Sequence, residues 1–438
     1  MNANSKETTG VFGNPWMQLI IGVICMACVA NLQYGWTLFV NPIDDKFHWG
    51  RPAIQVAFTL FVLIETWLVP VEGYLVDRFG PRPVVIGGGI LVAIAWAINS
   101  VAASLPVLYI AAAIGGIGTG CVYGTCVGNA LKWFPGRRGL AAGITAAGFG
   151  AGAAITIGPI AAMIKSSGYQ QAFLVFGLAQ GAIVFVMAWA LQVAPPSLLA
   201  TTVKPNQSAH GYSPAEVLRS PCFWVMYVMF VLVAAGGLTM AASMSPIAKD
   251  FKIDKQAVEI FGVVWGTVGV VAIQLNRILD GVGRPFFGWL SDQIGREYTM
   301  ALAFTIGAGA LFMLSQVGTS PAAFVVITGI YFGVYGEIFS LFPATQGDTF
   351  GAKFAAANAG MLYTAKGAGA LLVPLAAAIA KANGWNEVFL IGMAFNLVAA
   401  VLALVALKPM RARHFATGRA TYATPAGAPA VGDRRTTT

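Results

Sequence analysis

Charge is what this chain has least of. Of its 438 residues only 10% are charged, whereas 57% are hydrophobic. Soluble domains carry roughly a quarter charged residues, so this sequence lacks the polar surface to solvate a globule. Histidine is scarce as well, and His48, His210 and His414 all fall in expected loops or the tail. With no metal-ligand cluster and no nucleotide-binding glycine loop, neither a metal nor a cofactor is expected, and the chain does not read as an enzyme. The five cysteines, Cys25, Cys28, Cys121, Cys126 and Cys222, lie in or beside apolar runs. Cys25 and Cys28 have CxxC spacing, but no second pair or nearby histidine completes a site, so they read as small helix residues. The net charge of +9 is scattered between apolar runs rather than gathered into a patch, which argues against nucleic acid as a partner.

What is there is a series of long apolar runs. A bilayer core of about 30 Å takes roughly 20 helical residues to cross. Twelve runs of that kind fall near 17–40, 54–76, 84–103, 106–131, 139–164, 171–194, 222–246, 258–290, 301–318, 321–346, 355–380 and 386–408. The first is too long for a signal-peptide core and lacks a convincing cleavage site, so it reads as a retained helix. The expected fold is an all-α membrane protein with twelve transmembrane helices in two pseudo-symmetric six-helix bundles. An N-terminal arm (1–16), a first bundle (17–194), a linker (195–221), a second bundle (222–408) and a tail (409–438) follow in order. The tail is rich in Ala, Thr, Pro and Arg, has nothing to bury, and is expected to be disordered.

The two halves carry the same loop. Gly73-Tyr-Leu-Val-Asp77-Arg78-Phe-Gly80-Pro-Arg82 follows the second run, and Gly288-Trp-Leu-Ser-Asp292-Gln-Ile-Gly295-Arg296 follows the eighth in unchanged register. An even number of spans separates the copies, so both loops face one side of the membrane, as in a parallel duplication whose substrate binds between the halves. Basic residues such as Arg82, Lys132, Arg137, Arg138 and Arg296 crowd that side and thin out on the other, which places both termini in the cytoplasm. The duplicated loop and the six-plus-six layout resemble the major facilitator superfamily over nearly the whole chain. That resemblance implies an alternating-access carrier in the plasma (inner) membrane, with Asp77, Arg78 and Asp292 latching its cytoplasmic side.

Three basic residues have no place in this topology: Arg277 and Arg284 in span eight and Lys366 in span eleven. Each charge at mid-helix costs roughly 2.5–3.5 kcal/mol to insert, so an unused one is not expected to persist. Thr145-Ala-Ala147-Gly148 in span five parallels Thr364-Ala-Lys366-Gly367, so the scaffold itself does not need the lysine. An arginine fork suits a carboxylate bidentately, and lysine offers a compact point charge. Two cations facing one cavity would suit a small dianion, or a monoanion together with a resident acid. Asp280, Glu65 and Glu337 are such acids, deep in apolar sequence. Asp280 is in reach of both arginines. Either it pairs Arg277 and leaves Arg284 free, or it pairs Arg284 and takes a proton during transport. Gln33, Tyr34, Tyr123, Tyr335, Phe339 and Tyr363 are candidates to line the cavity; Tyr335 shares a helix face with Phe339, and Tyr363 with Lys366.

Asn31-Leu-Gln33-Tyr34-Gly-Trp-Thr-Leu, Gly283-Arg284-Pro285-Phe-Phe-Gly288 and Ala365-Lys366 resemble the oxalate–formate antiporter family. The resemblance implies that Arg284 and Lys366 bind a dicarboxylate inside an aromatic cage, with Gln33 contributing. Tyr335, Phe339 and Tyr363 stand where that family's cage carries Trp, Tyr and Trp. The Asp280–Arg284 spacing is instead similar to proton-linked monocarboxylate transporters, another branch of the superfamily. Exchange of oxalate for formate is therefore the expected activity. The alternative is a proton-coupled, lactate-like monocarboxylate symporter using Asp280 or Glu337. A membrane receptor is disfavoured because 195–220 is too short for a signalling domain. The expected partners are small carboxylate anions (oxalate, formate or monocarboxylates) and the lipid bilayer, with no obligate protein partner.

Overall fold

In the computed structural model, residues 11–195, 198, 208, 210–260 and 262–423 are described. Most of the N-terminal arm, most of the linker and the end of the tail (424–438) lie outside the described residues. The chain forms the twelve-helix fold expected of it. Spans three to six are Pro81–Val101, Leu105–Trp133, Arg138–Ser167 and Tyr169–Trp189. Spans seven and nine are Pro221–Asp250 and Arg296–Val317. Proline opens several of these helices, where its missing N–H costs nothing and its fixed φ suits the first turn.

The other spans are broken or charged. Span one runs Pro15–Val29, Asn31–Tyr34 and Thr37–Phe47, and span two bends by 41° between Trp67 and Val69 within Arg51–Phe79. Span ten breaks at Gly336–Glu337, between Pro321–Tyr335 and Ile338–Phe350. Span eleven breaks between Ala355–Ala370 and Val373–Asn383, ahead of Pro374. Backbone groups freed at membrane depth are tolerated only where protein surrounds them, as at the span-ten break, where Gly336 and Glu337 are buried. Among the described residues, nine helices are long and apolar enough to cross a bilayer alone, and bent span two makes a tenth. The two crossings that fall short are span eight, Val268–Ile294, which carries Arg277, Asp280 and Arg284, and broken span eleven, which carries Lys366.

Two expectations are corrected. Residues 258–267 were expected to begin span eight, but Ala257–Ile260 and Val263–Thr267 pair as an antiparallel hairpin. Apolar periodicity does not separate a short β-branched run from a helix, and Gly262 and Gly266, both at positive φ, break any helix here. The first part of the tail is ordered where the whole was expected to be disordered: a helix runs from Lys408 to Ala423. Arg411 on it is buried, donating to Thr349 Oγ1 at 2.8 Å and pairing with Glu297.

Within the halves, span three packs on spans four and six, and span nine on span twelve (Trp385–Leu402). Between the halves, span five packs on span eight and span two on span eleven. These two junctions correspond to one another under the repeat. The duplicated loop glycines have a conformational reason: Gly80 and Gly295 sit at φ of 84° and 101°, a left-handed backbone at each helix turn that favours glycine.

Candidate functional site

At the loop end, each half caps a helix of the other. Asp77 Oδ2 accepts from the backbone N–H of Ala357 at 3.0 Å, in the first turn of span eleven. Asp292 accepts from the N–H groups of Gly139 and Leu140 at 3.2 and 3.0 Å, in the first turn of span five. A carboxylate there satisfies orphan donors and meets the positive end of the helix dipole. Asp77 also pairs with Lys132 at 2.6 Å, and Asp292 with Arg296 at 2.7 Å. Arg138 and Arg296 both meet Asp348, at 3.0 and 2.9 Å. Arg78, expected to share the latch, does not. It is exposed, lies 5.3 Å from the Phe79 ring, and makes no ion pair among those of the described residues. Of the partners that sequence reasoning missed, Lys132, Arg138, Arg296 and Asp348, Arg296 lies four residues beyond Asp292, a spacing that allows their pair, while the other meetings leave no trace in the spacing.

Deeper in, the structure brings together most of the residues singled out above. Arg284 is 1% exposed. One of its terminal nitrogens donates to Asp280 at 2.7 Å, the other to the backbone carbonyl of Ala146 in span five at 2.9 Å, while its Nε has no acceptor among the described residues. Of the two pairings left open for Asp280, the one with Arg284 is present. Arg277 is instead half-buried, its guanidinium 4.4 Å from the Tyr34 ring centroid. Pro285 lies inside a continuous helix.

Lys366 is 2% exposed and fully coordinated. Its ammonium donates to Tyr363 Oη at 2.8 Å, to Gln33 Oε1 at 3.2 Å, and to both carboxylate oxygens of Glu65 at 3.2 Å. Tyr363 Oη in turn donates to Glu65 Oε1 at 3.2 Å. The two cations share one aromatic wall: Phe339 lies 4.6 Å from the Arg284 guanidinium and 5.9 Å from the Lys366 ammonium. Tyr123 stacks on Tyr363 at 4.5 Å, and Tyr335 meets Phe339 edge-on at 5.8 Å. Phe149 of span five was missed by sequence reasoning. It touches Tyr34 and Tyr123 edge-on at 5.3 Å and lies 5.8 Å from the Lys366 ammonium.

Glu337 stands apart. It is fully buried at the break in span ten, neither carboxylate oxygen has a hydrogen-bond partner among the described residues, and it pairs with neither cation. Glu65 is the residue whose importance the sequence understated, although a signal was available. The register that sets Asp77 on Asp292 and Gly80 on Gly295 also sets Glu65 on Asp280 and Pro70 on Pro285. Each acid of that duplicated pair holds one of the two central cations.

The Major Facilitator Superfamily model matches residues 19–374. The oxalate:formate antiporter of Oxalobacter formigenes is 33% identical, over 93% of this chain and 95% of its own. Monocarboxylate transporter 13 of Bos taurus is 24% identical, over 76% of this chain and 75% of its own. Among solved structures, the E. coli fucose:proton symporter FucP superposes with a TM-score of 0.63 at 14% identity, covering 88% of this chain and 97% of that one. The matched span and the shared two-half architecture make this chain a multi-pass membrane carrier that belongs to the major facilitator superfamily and, within it, to the oxalate–formate antiporter family.

Proposed function

We propose that the chain exchanges small carboxylate anions across the plasma membrane by alternating access, oxalate against formate, with Arg284 and Lys366 as the anion anchors. The observation that carries this reading is the pair of buried cations on either side of Phe339, each from a different helix of the second half. Arg284 Nε offers a buried donor with no acceptor among the described residues, which a carboxylate would satisfy, and at the Lys366 ammonium an anion would take the place that the Glu65 carboxylate holds. Gln33, Tyr34, Tyr123, Tyr335, Phe339 and Tyr363 would shape the cage, whose apolar faces exclude water and strengthen the electrostatics inside. Asp77 and Asp292, with Lys132 and Arg296, would latch the cytoplasmic side, both termini lying there as the basic-residue bias directs. In liposomes loaded with formate, purified carrier should take up oxalate faster than in unloaded ones. Equal rates would overturn exchange.

A second reading has its own observation. Asp280 pairs with Arg284 at 2.7 Å, so a proton on Asp280 would release the guanidinium to a monocarboxylate, as in a proton-coupled symporter. A pH gradient alone should then drive lactate uptake, and Asp280→Asn should abolish that response.

A further inference from the structure

The Glu65–Lys366 pair invites a different question from the Asp280–Arg284 pair. Asp280 and Arg284 are four apart on one helix, so the pair moves as a unit whichever way the halves rock. Glu65 belongs to span two and Lys366 to span eleven, so their contact crosses the junction between the halves. The first is part of a wall; the second is a contact that any relative motion must stretch or remake.

The shell around Lys366 is also what a bound carboxylate would provide. Two equivalent oxygens at 3.2 Å take the ammonium together, with a phenol and an amide oxygen completing its donors. Gly116 and Gly120 of span four lie against the backbone of Glu65, so span four comes close without putting a side chain between acid and cation. The titratable and charged groups around Glu65 are few. Lys366 and Tyr363 face it from span eleven, Tyr123 stacks behind Tyr363 from span four, and Glu72 follows on span two with its oxygens beside Gly120. Gln33 comes from span one, and Arg284 with Asp280 stands on the far side of Phe339 from span eight.

We infer that Glu65 is the carrier's built-in stand-in for substrate, holding Lys366 when no anion is bound and yielding it to an incoming carboxylate by taking a proton. The inference rests on the carboxylate-transport reading above. The charge count supports it. Two cations and two carboxylates make the empty centre neutral, so it can close and cross unloaded. A monoanion entering unchanged would leave a buried net charge, which low-dielectric surroundings penalise. One proton from water on the open side, bound to Glu65, restores neutrality. The neutral acid then donates its O–H to Tyr363 Oη, and Lys366 turns its N–H groups to the substrate. A proton and an anion thus bind together, which adds net proton-linked uptake to exchange.

The sign follows from linkage: if binding takes up a proton, affinity strengthens as pH falls, by up to about tenfold per pH unit for one proton. The test uses the purified full-length carrier with oxalate, formate and lactate as probes, reading apparent Kd by ligand-dependent thermal shift from mildly acidic to neutral pH. Wild type should show the slope. Glu65→Gln should flatten it and lose net uptake at least about tenfold, because its empty centre carries an unpaired lysine. Glu65→Asp should keep the slope, and so should Asp280→Asn. An unchanged slope in Glu65→Gln, no slope in wild type, or a slope lost in Asp280→Asn overturns the inference. Should Glu65→Gln not fold, wild type, Glu65→Asp and Asp280→Asn still decide. If wild type binds none of the probes, the carboxylate reading itself has fallen, and the inference falls with it.

Discussion

The two junctions between the halves, span two on eleven and span five on eight, are related by the internal repeat, yet they are built alike only at one end. At the loop end each is a carboxylate capping the partner helix, Asp77 on span eleven and Asp292 on span five. At the centre they differ. Across two and eleven an acid and a cation face each other, Glu65 and Lys366. Across five and eight the acid and the cation share span eight, and Arg284 reaches over only to a backbone carbonyl, that of Ala146. Duplication supplied the acid twice, at Glu65 and Asp280, while the cations were placed independently, Lys366 where the first half has Ala147 and Arg284 where it has Val69. One junction is therefore an ionic tie between halves. The other is an arginine pre-oriented on its own helix.

Removing either cation breaks this comparison most severely. Truncating one partner of a buried pair leaves an uncompensated charge, at a cost of about 3–5 kcal/mol. Lys366→Gln and Arg284→Gln should both abolish uptake and lower the melting temperature in detergent. The double replacements should then separate the junctions. Glu65→Gln with Lys366→Gln, and Asp280→Asn with Arg284→Gln, should each regain most of the lost stability without regaining transport. A double variant that transports at the wild-type rate would show that its pair is dispensable.

The loop-end caps should respond more mildly, and unequally. Asp292→Asn leaves Arg296 with a second acid, Asp348, whereas Asp77→Asn leaves Lys132 with none recorded among the ion pairs of the described residues. Losing a charged cap costs about 0.5–2 kcal/mol. The Asp77 variant should lose about 1 kcal/mol more, a factor of about five in opening. Hydrogen exchange of segments 354–360 and 137–143 reads the two caps separately. Faster exchange at 137–143 in Asp292→Asn than at 354–360 in Asp77→Asn would reverse the ranking.

Much of this was legible in the sequence because the bilayer leaves few options. Apolar runs gave twelve crossings, and the repeated Gly73 and Gly288 loops gave the duplication. Arg284 and Lys366 stood out because nothing in their own spans accounted for them. What stayed hidden depended on meetings between distant helices. No acid lies in the span of Lys366, and its partner, Glu65, comes from the other half. Phe149 looks like any apolar residue until Tyr34, Tyr123 and Lys366 converge on it. The hairpin at 257–267 reads as helix in the sequence because its valines are as apolar as a membrane span.

The smallest effect belongs to Arg78, the loop residue expected to latch. Its equivalent in the second copy is Gln293, so the repeat itself shows that the position works without a cation. The guanidinium is exposed and rests on the neighbouring Phe79 ring, an interaction worth at most about 0.5–1 kcal/mol at the surface. Lys132, by contrast, holds Asp77 at 2.6 Å beneath the surface, and that aspartate caps span eleven. Arg78→Ala should therefore leave uptake and melting temperature within about 0.5 kcal/mol of wild type, while Lys132→Ala moves both. Uptake by Arg78→Ala that falls as far as that of Lys132→Ala would mean that the arginine is recruited in a conformation other than this one, and the loop would then latch in both states of the cycle rather than in one.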